Sequence, residues 1–333
     1  MIAPRLDTHR RFEEENTPYY DPVRFYPAKL SSVLNGRYQL VTKVGCVIWL
    51  ARHLNQFVPL CSYDLVVTDL VRWRWLQDKY GWQFTRHLVD SFYVEYGSRK
   101  HLALAFEPLR EPLWLYRERF IGDVIPSSVL KIILQMILHG LDYLHSECHI
   151  VHTDLKPDNI MVKIEDPSIL EESAKDEYKD PLPQKIGPDG RTIYLSRNNY
   201  EPTLKTTGII TITDFALSVP GDRPNSGCKK LFKDFNESNH LAHITLLLGP
   251  PPEDIIARGR RSELFYASDG TLRNEARVPA TFNFENLIKN IHGDDKTLFI
   301  RFVRRMIKWR PEERSTAKEL LEDPWLYADL DDE

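Results

Sequence analysis

Apolar positions cluster in short runs over the first third of the chain and later recur every three or four residues. Residues 37–51, RYQLVTKVGCVIWLA, are branched and aromatic between Gly36 and the polar RHLNQ, a strand pattern. FVPLCSYDLVV follows as a weaker strand. Pro59 within it predicts an edge position or no strand, because proline gives a ladder no hydrogen bond. KHLALAFEPL (100–109) predicts a third short strand, stopped by Pro108. Pro126, Ser127 and Ser128 form a helix start signal. Val129, Ile133, Met136, Ile137, Leu141 and Leu144 then recur at helical spacing and predict a helix with one side in a core. TGIITITDFALSV reads as a buried strand, and HLAHITLLLG, DDKTLFIRFVRRMIKW and STAKELLEDPWL read as helices. Strands first and helices later predict a small mixed part followed by a larger helical one.

Three stretches fall outside these patterns. Residues 1–36 are rich in proline, tyrosine and charge and read as an extended lead-in. Residues 163–207 are polar, with turn signals such as DPLP and GPDG, and read as a surface spacer inserted between two strands. Residues 328–333 form an acidic tail, expected to fray.

Composition narrows the picture. With 333 residues, 42% apolar and 28% charged, the chain is an ordinary globular one. A net charge of −4 carries no basic footprint for nucleic acid. The four cysteines, Cys46, Cys61, Cys148 and Cys228, form no paired spacing, so neither a disulfide framework nor a zinc site is expected. The first residues lack an apolar leader, and the run at 129–144 is too short and polar to span a bilayer. A reduced compartment, cytoplasm or nucleus, is the expectation.

The chemistry concentrates in HTDLKPDN (152–159) and TDFA (213–216). Phosphoryl transfer to a hydroxyl requires a group to orient the nucleophile, a cation near the moving phosphate, and hard oxygens for Mg²⁺. Asp154 has the chemistry of the first and Lys156 of the second. Asn159 and Asp214 offer the oxygens that Mg²⁺ prefers.

H-x-D-L-K-P-x-N followed by DF resembles the catalytic loop and metal motif of eukaryotic protein kinases. YYDPVRFYPAKLSSVLNGRYQLVTKVG, KHLALAFEPLREPLW and DPLPQKIGPDGRTIYLSR are similar to segments of SR-protein kinases of the fungal type. So are HLAHITLLLGPPPEDIIARGRRSELFYASDGTL and FVRRMIKWRPEERSTAKELLEDPWL, and the resemblance spans most of residues 18–327. It implies an α+β, bilobal kinase-like fold with a small β-rich N-lobe and a larger helical C-lobe, parts of both being missing. The N-lobe and hinge strand would take residues 37–109 and the C-lobe 110–327, with the spacer inside it. The resemblance further implies ATP and Mg²⁺ as cofactors, with catalytic Asp154 and Lys156 and metal ligands Asn159 and Asp214. Gly45, Cys61, Phe106, Glu107 and Leu109 would line the nucleotide site, with the Glu107 carbonyl and Leu109 amide on adenine. A protein partner, with Arg/Ser-rich proteins the class the resemblance points to, and a monomeric chain are expected.

Several family features are absent. KVGCVIWLA keeps only Gly45 of the glycine-rich loop, as though the turn were deleted. Cys61 stands where the third strand carries its lysine, and a thiol supplies no cation to phosphates. Lys43 is nearby but reads more simply as a solvated strand residue. No glutamate lies between Glu15 and Glu95 to pair with such a lysine, and Asp69 or Asp78 would reach less far. DFA replaces DFG, at a cost of roughly 1–2 kcal/mol if a left-handed angle is required there. The A/S-P-E and D-x-W-x-x-G motifs are missing, while Arg314, which in the family pairs with the first, remains. Arg314 must therefore find another carboxylate or reach water. Three readings stay open: a serine/threonine kinase of weak or lost activity, a pseudokinase acting as a binding module, and a truncated product without function.

Overall fold

The computed structural model describes residues 2–18, 20–53, 56–63, 79–164, 166, 168–197, 208–221, 237–273 and 281–328. Asp69, Asp78 and the tail from 329 onward lie outside the described residues. The chain divides into two compact units, Met1–Arg119 with Asp154–Leu217, and Phe120–Thr153 with Ser218–Glu333.

The first unit carries a six-stranded sheet of β1 (Val33–Leu34), β2 (Tyr38–Gly45), β3 (Ile48–His53), β4 (Gln56–Tyr63), β5 (Leu88–Tyr96) and β6 (Arg99–Phe106). They pair in the order β1-β2-β3-β4-β6-β5, antiparallel throughout. Alternation puts Tyr38, Leu40, Trp49, Ala51, Val58 and Ala105 into one buried cluster on one side of this sheet. Leu104 and Phe106 form a second cluster with Ile48, Leu88 and Leu102. β5 was absent from the sequence reading, although LVDSFYVEY alternates and ends at Gly97, a hairpin signal.

Pro59 corrects an expectation. It lies in β4, which is an interior strand rather than an edge or a loop. The ladder explains how: β6 pairs with β4 only from Leu60 to Tyr63, so at Pro59 the strand has a neighbour on the β3 side alone. Proline is tolerated where one side of the strand needs no donor.

After β6 come β7 (Leu109–Pro112) and α1 (Leu113–Tyr116), and later β8 (Ile150–Val151) and β9 (Ile160–Lys163). The stretch after β9 is more than a surface spacer. It forms α3 (Ser168–Lys179), β10 (Gln184–Ile186) and β11 (Thr192–Tyr194) before the buried β12 (Ile210–Ile212). Tyr194 joins the core cluster of the six-stranded sheet, and Ile193 is buried. The lead-in is tied to it as well: Arg5 bridges Gln184, and Glu15 pairs with Lys185 at 2.7 Å.

The second unit is built on α2 (Ser127–Asp142), α4 (Glu237–Leu248), α5 (Glu253–Arg258), α6 (Phe284–Leu287), α7 (Gly293–Met306) and α8 (Ala317–Leu321), with β13 (Val219–Pro220) against β8. Leu138, Phe302, Ala317, Leu320, Trp325 and Leu326 form its core. Of the helix residues expected in a core, Ile133, Ile137 and Leu144 are buried, while Val129, Met136 and Leu141 are partly so. Arg314 is exposed and donates to the Lys308 carbonyl at 3.0 Å, so it reaches water as its lost partner requires.

Lys131 is buried too, and Asp295 stabilises it at 3.0 Å while accepting from Ser127 (2.6 Å) and Trp325 Nε1 (2.7 Å). Burial alone would push the Asp295 carboxyl up, but the three hydrogen bonds and the lysine charge outweigh it and hold it below its ordinary value. A depressed folded-state value contributes stability that is complete above the unfolded value and is lost as pH falls through the folded one. Asp295→Asn is therefore expected to cost about 3 kcal/mol at pH 7, the scale of breaking a buried pair. The gap to the parent protein should narrow at pH 3. Urea midpoints of both proteins at the two pH values test this, and a gap independent of pH would refute it.

Candidate active site

The loop from Asp154 to Asn159 is held by its own short-range bonds. Pro157–Asn159 form a 3₁₀ turn, and the Asn159 amide donates to the Lys156 carbonyl at 2.9 Å. Asn159 Nδ2 donates to the Asp154 carbonyl (2.9 Å) and to Asp154 Oδ2 (3.1 Å), and Lys156 Nζ donates to the same Oδ2 at 2.9 Å. That hydrogen bond raises the Lys156 ammonium above its ordinary value, with the charges of Asp154, Asp158 and Asp214 adding to the effect, so it stays cationic.

Asp214 reaches this loop through strand register. Ile212 of β12 stands opposite Ile160, the residue after Asn159. The Thr213 amide and hydroxyl donate to the Asn159 carbonyl at 2.8 and 3.2 Å. Asp214 follows, solvent-exposed and with φ 61°. Aspartate tolerates this left-handed angle better than most residues. Ala216 lies in the short helical turn Phe215–Leu217 and is not among the residues of positive φ. The strain expected of DFA is therefore not incurred: the left-handed residue is the aspartate.

Asp154, Lys156, Asn159 and Asp214 are thus brought together. The Asn159 amide nitrogen is committed to Asp154, which leaves its Oδ1 as the atom that would ligate a metal, together with the Asp214 carboxylate. No cluster of three metal-binding side chains occurs among the described residues. Two hard oxygens still fit Mg²⁺, which is commonly held by one or two protein oxygens plus substrate phosphates.

The nucleotide side does not fit ATP in the same way. Gly45 and Ile48 pair directly, so the β2–β3 hairpin closes through Cys46 and Val47 alone. A methyl group on Gly45 would come within 3.2 Å of Ile48 Cδ1, so this glycine serves the tight hairpin. Two residues cannot fold over a triphosphate as a glycine-rich loop does.

Lys43 overturns the expectation of a solvated residue. Its side chain is 2% exposed, it pairs with Glu14 of the lead-in, and it donates to the Tyr194 carbonyl at 3.0 Å. The carboxylate that meets Lys43 is thus Glu14, upstream of the sheet. Nothing local in the sequence marked Glu14 or Tyr194 for this role. At the Cys61 position the backbone stands in β4, opposite Ile48 on one side and Leu104 on the other. Cys46, in the hairpin turn, stays a neutral thiol, since burial pushes it up to about 11.

At the end of β6, Phe106 is buried beneath the Arg86 guanidinium, 4.6 Å from its ring centroid. The Glu107 side chain accepts from His87 Nδ1 at 2.9 Å and lies 3.7 Å from Lys163. Burial pushes the Glu107 carboxyl up, but His87 and Lys163 outweigh it and hold it below its ordinary value. Leu109 is buried and stands opposite Lys163 in the β7–β9 ladder.

Comparison with known proteins points the same way. The protein kinase domain family matches residues 85–170. A serine/threonine protein kinase of Aspergillus fumigatus is 28% identical, over 98% of this chain and 93% of its own length. Its alignment runs over 380 positions, so at least 47 of them (380 less 333) have no residue of this chain. The serine/threonine-protein kinase SRPK of Physarum polycephalum is 22% identical over 94% of this chain and 91% of its own length. SRSF protein kinase 3 of Mus musculus is 29% identical over 49% of this chain and 32% of its own length. With a β-rich N-terminal part, a helical C-terminal part and a catalytic-type loop between them in sequence, the chain has a kinase-like fold, matches the protein kinase domain over residues 85–170 and is similar to SRPK-like serine/threonine kinases.

Proposed function

We propose that this chain is a serine/threonine kinase-family domain whose phosphate transfer is weak or lost and which acts chiefly by binding protein. The family reaction moves the ATP γ-phosphate to serine or threonine. Asp154, Lys156, Asn159 and Asp214 keep the acceptor and metal side of that reaction. The observation that carries the reading is the β2–β3 hairpin, which closes through Cys46 and Val47 alone where a glycine-rich loop would cover the phosphates, while Lys43 of β2 is buried against Glu14 and the Tyr194 carbonyl and offers no free cation. The partner is a basic protein, such as an Arg/Ser-rich splicing factor, for which kinases named for SRSF proteins among the relatives and a net charge of −4 give support. The chain works as a monomer in the cytoplasm or nucleus. Among the described residues no helix is long and apolar enough to cross a membrane.

A thermal melt with Mg-ATP tests this. A ligand at one hundred times its Kd adds about 2.7 kcal/mol to stability. The expected result is a cooperative melt that shifts by less than about 1 °C at millimolar Mg-ATP. A shift of several degrees would return the chain to the active kinases. A melt without cooperativity would favour a truncated product.

A further inference from the structure

Two valines of β2 have no partner in the β2–β3 ladder. The register steps from Leu40 to Thr42 and from Lys43 to Gly45, leaving Val41 and Val44 as bulge residues. A bulge re-aims the side chain it carries. Both valines pack with Leu170 and Ala174 of α3 over the buried Leu50. Polar clamps hold the helix along its length. Arg52 Nη2 meets Glu171 at 2.9 Å, and Thr42 Oγ1 donates to Glu177 at 2.8 Å. Glu177 is itself buried and also accepts from the Leu182 amide.

The side of the sheet on which this happens decides its meaning. Ile48, Leu50 and Arg52 alternate along β3 and so share one face. Ile48 belongs to the apolar cluster of Leu104 and Phe106, and the ladder position of Cys61 lies between Ile48 and Leu104. The face under α3 is therefore the face of Phe106 and of the hairpin that ends in Gly45.

We propose that α3 is a built-in cover on the nucleoside part of this face, so that the helix and an adenosine compete for the same surface. The proposal rests on the reading above in one respect, that Gly45, Cys61 and Phe106 mark the nucleotide side of the sheet. The sequence of the helix, SILEESAKDEYK, suits a removable element. Twelve polar-rich residues are marginal as a helix without docking, and only Ala174 and Glu177 are fully buried. Undocking α3 is then a local opening rather than unfolding of the unit.

The test uses the full chain with Ala174→Glu, which sets a carboxylate against Leu50, and separately Glu171→Arg, which replaces the Arg52 clamp by repulsion. Hydrogen exchange over residues 168–179 reads whether the helix is released, and titration with adenosine and with ATP reads the uncovered face. Release should speed exchange there about tenfold or more. Adenosine should then bind with a Kd of about 1 mM, at least about tenfold tighter than to the parent protein. Three results overturn the proposal: a released helix with unchanged adenosine binding, adenosine binding to the parent without faster α3 exchange, or no release in either variant. Should Ala174→Glu lose its cooperative melt, Glu171→Arg supplies the reading. The nucleoside and the nucleotide together separate this idea from the loss of the phosphate grip. Equal affinities in the released variants leave both standing, whereas ATP binding much tighter than adenosine refutes the lost grip and keeps the cover.

Discussion

Lys43→Ala is expected to lower the stability of the first unit by about 3–5 kcal/mol, the scale of stripping one partner from a buried ion pair. The magnitude follows from burial: the Lys43 side chain is 2% exposed and that of Glu14 13%, which excludes the surface-pair regime of about 0–1 kcal/mol. The alanine variant leaves a carboxylate without its counter-charge and the Tyr194 carbonyl without its donor. Removing both charges, as in Lys43→Met with Glu14→Leu, should recover most of the loss, because apolar replacement of a buried pair is often neutral. Urea unfolding of the two single variants and the double variant measures the coupling. The prediction also separates two roles. A lysine serving a nucleotide's phosphates leaves the fold intact when removed. A loss under about 1 kcal/mol would place Lys43 in the surface regime and sink the structural role.

The second large effect is on phosphate transfer. Kinases commonly turn over at about 1–100 s⁻¹. Each pre-organised contact to the developing charge is worth about 10²–10³ in rate. Two such contacts are missing, the strand lysine at Cys61 and the glycine loop at Cys46–Val47, so turnover should fall about 10⁴-fold or more if they act independently. Transfer of labelled γ-phosphate to an Arg/Ser-rich peptide measures it. Whatever remains should drop by a further factor of about 10² or more in Asp154→Asn, since a positioned general base contributes on that scale. Asparagine keeps an oxygen for Lys156 and Asn159 to reach, so the melt should change little. Turnover on the order of 1 s⁻¹, abolished by Asp154→Asn, would establish a working nucleotide grip and contradict the reading.

How far the site was legible differs along the chain. The catalytic-type loop was readable because its bonds join residues two to five positions apart, so spacing carries the geometry. The shortened β2–β3 turn was readable for the same reason. The cost assigned to Ala216 was misplaced by two residues, since the sequence does not say which member of TDFA takes the left-handed angle. Pro59 was misread because proline's restriction concerns one side of a strand, and the sequence does not say where the neighbouring strand begins.

Short-range pattern alone was enough for the kinase-type loop, the strand-then-helix order, the buried β12 and the long helices, because period and spacing are local properties of the chain. Folding in three dimensions decided the fate of Lys43, whose partners lie 29 and 151 residues away, and the docking of α3 on strands β2 and β3, more than a hundred residues upstream of it in the chain. A charged residue carries no mark of which distant carboxylate will meet it. Desolvation and pairing are fixed only when remote segments close over the same face, and that closure turned an apparently solvated lysine into a buried one.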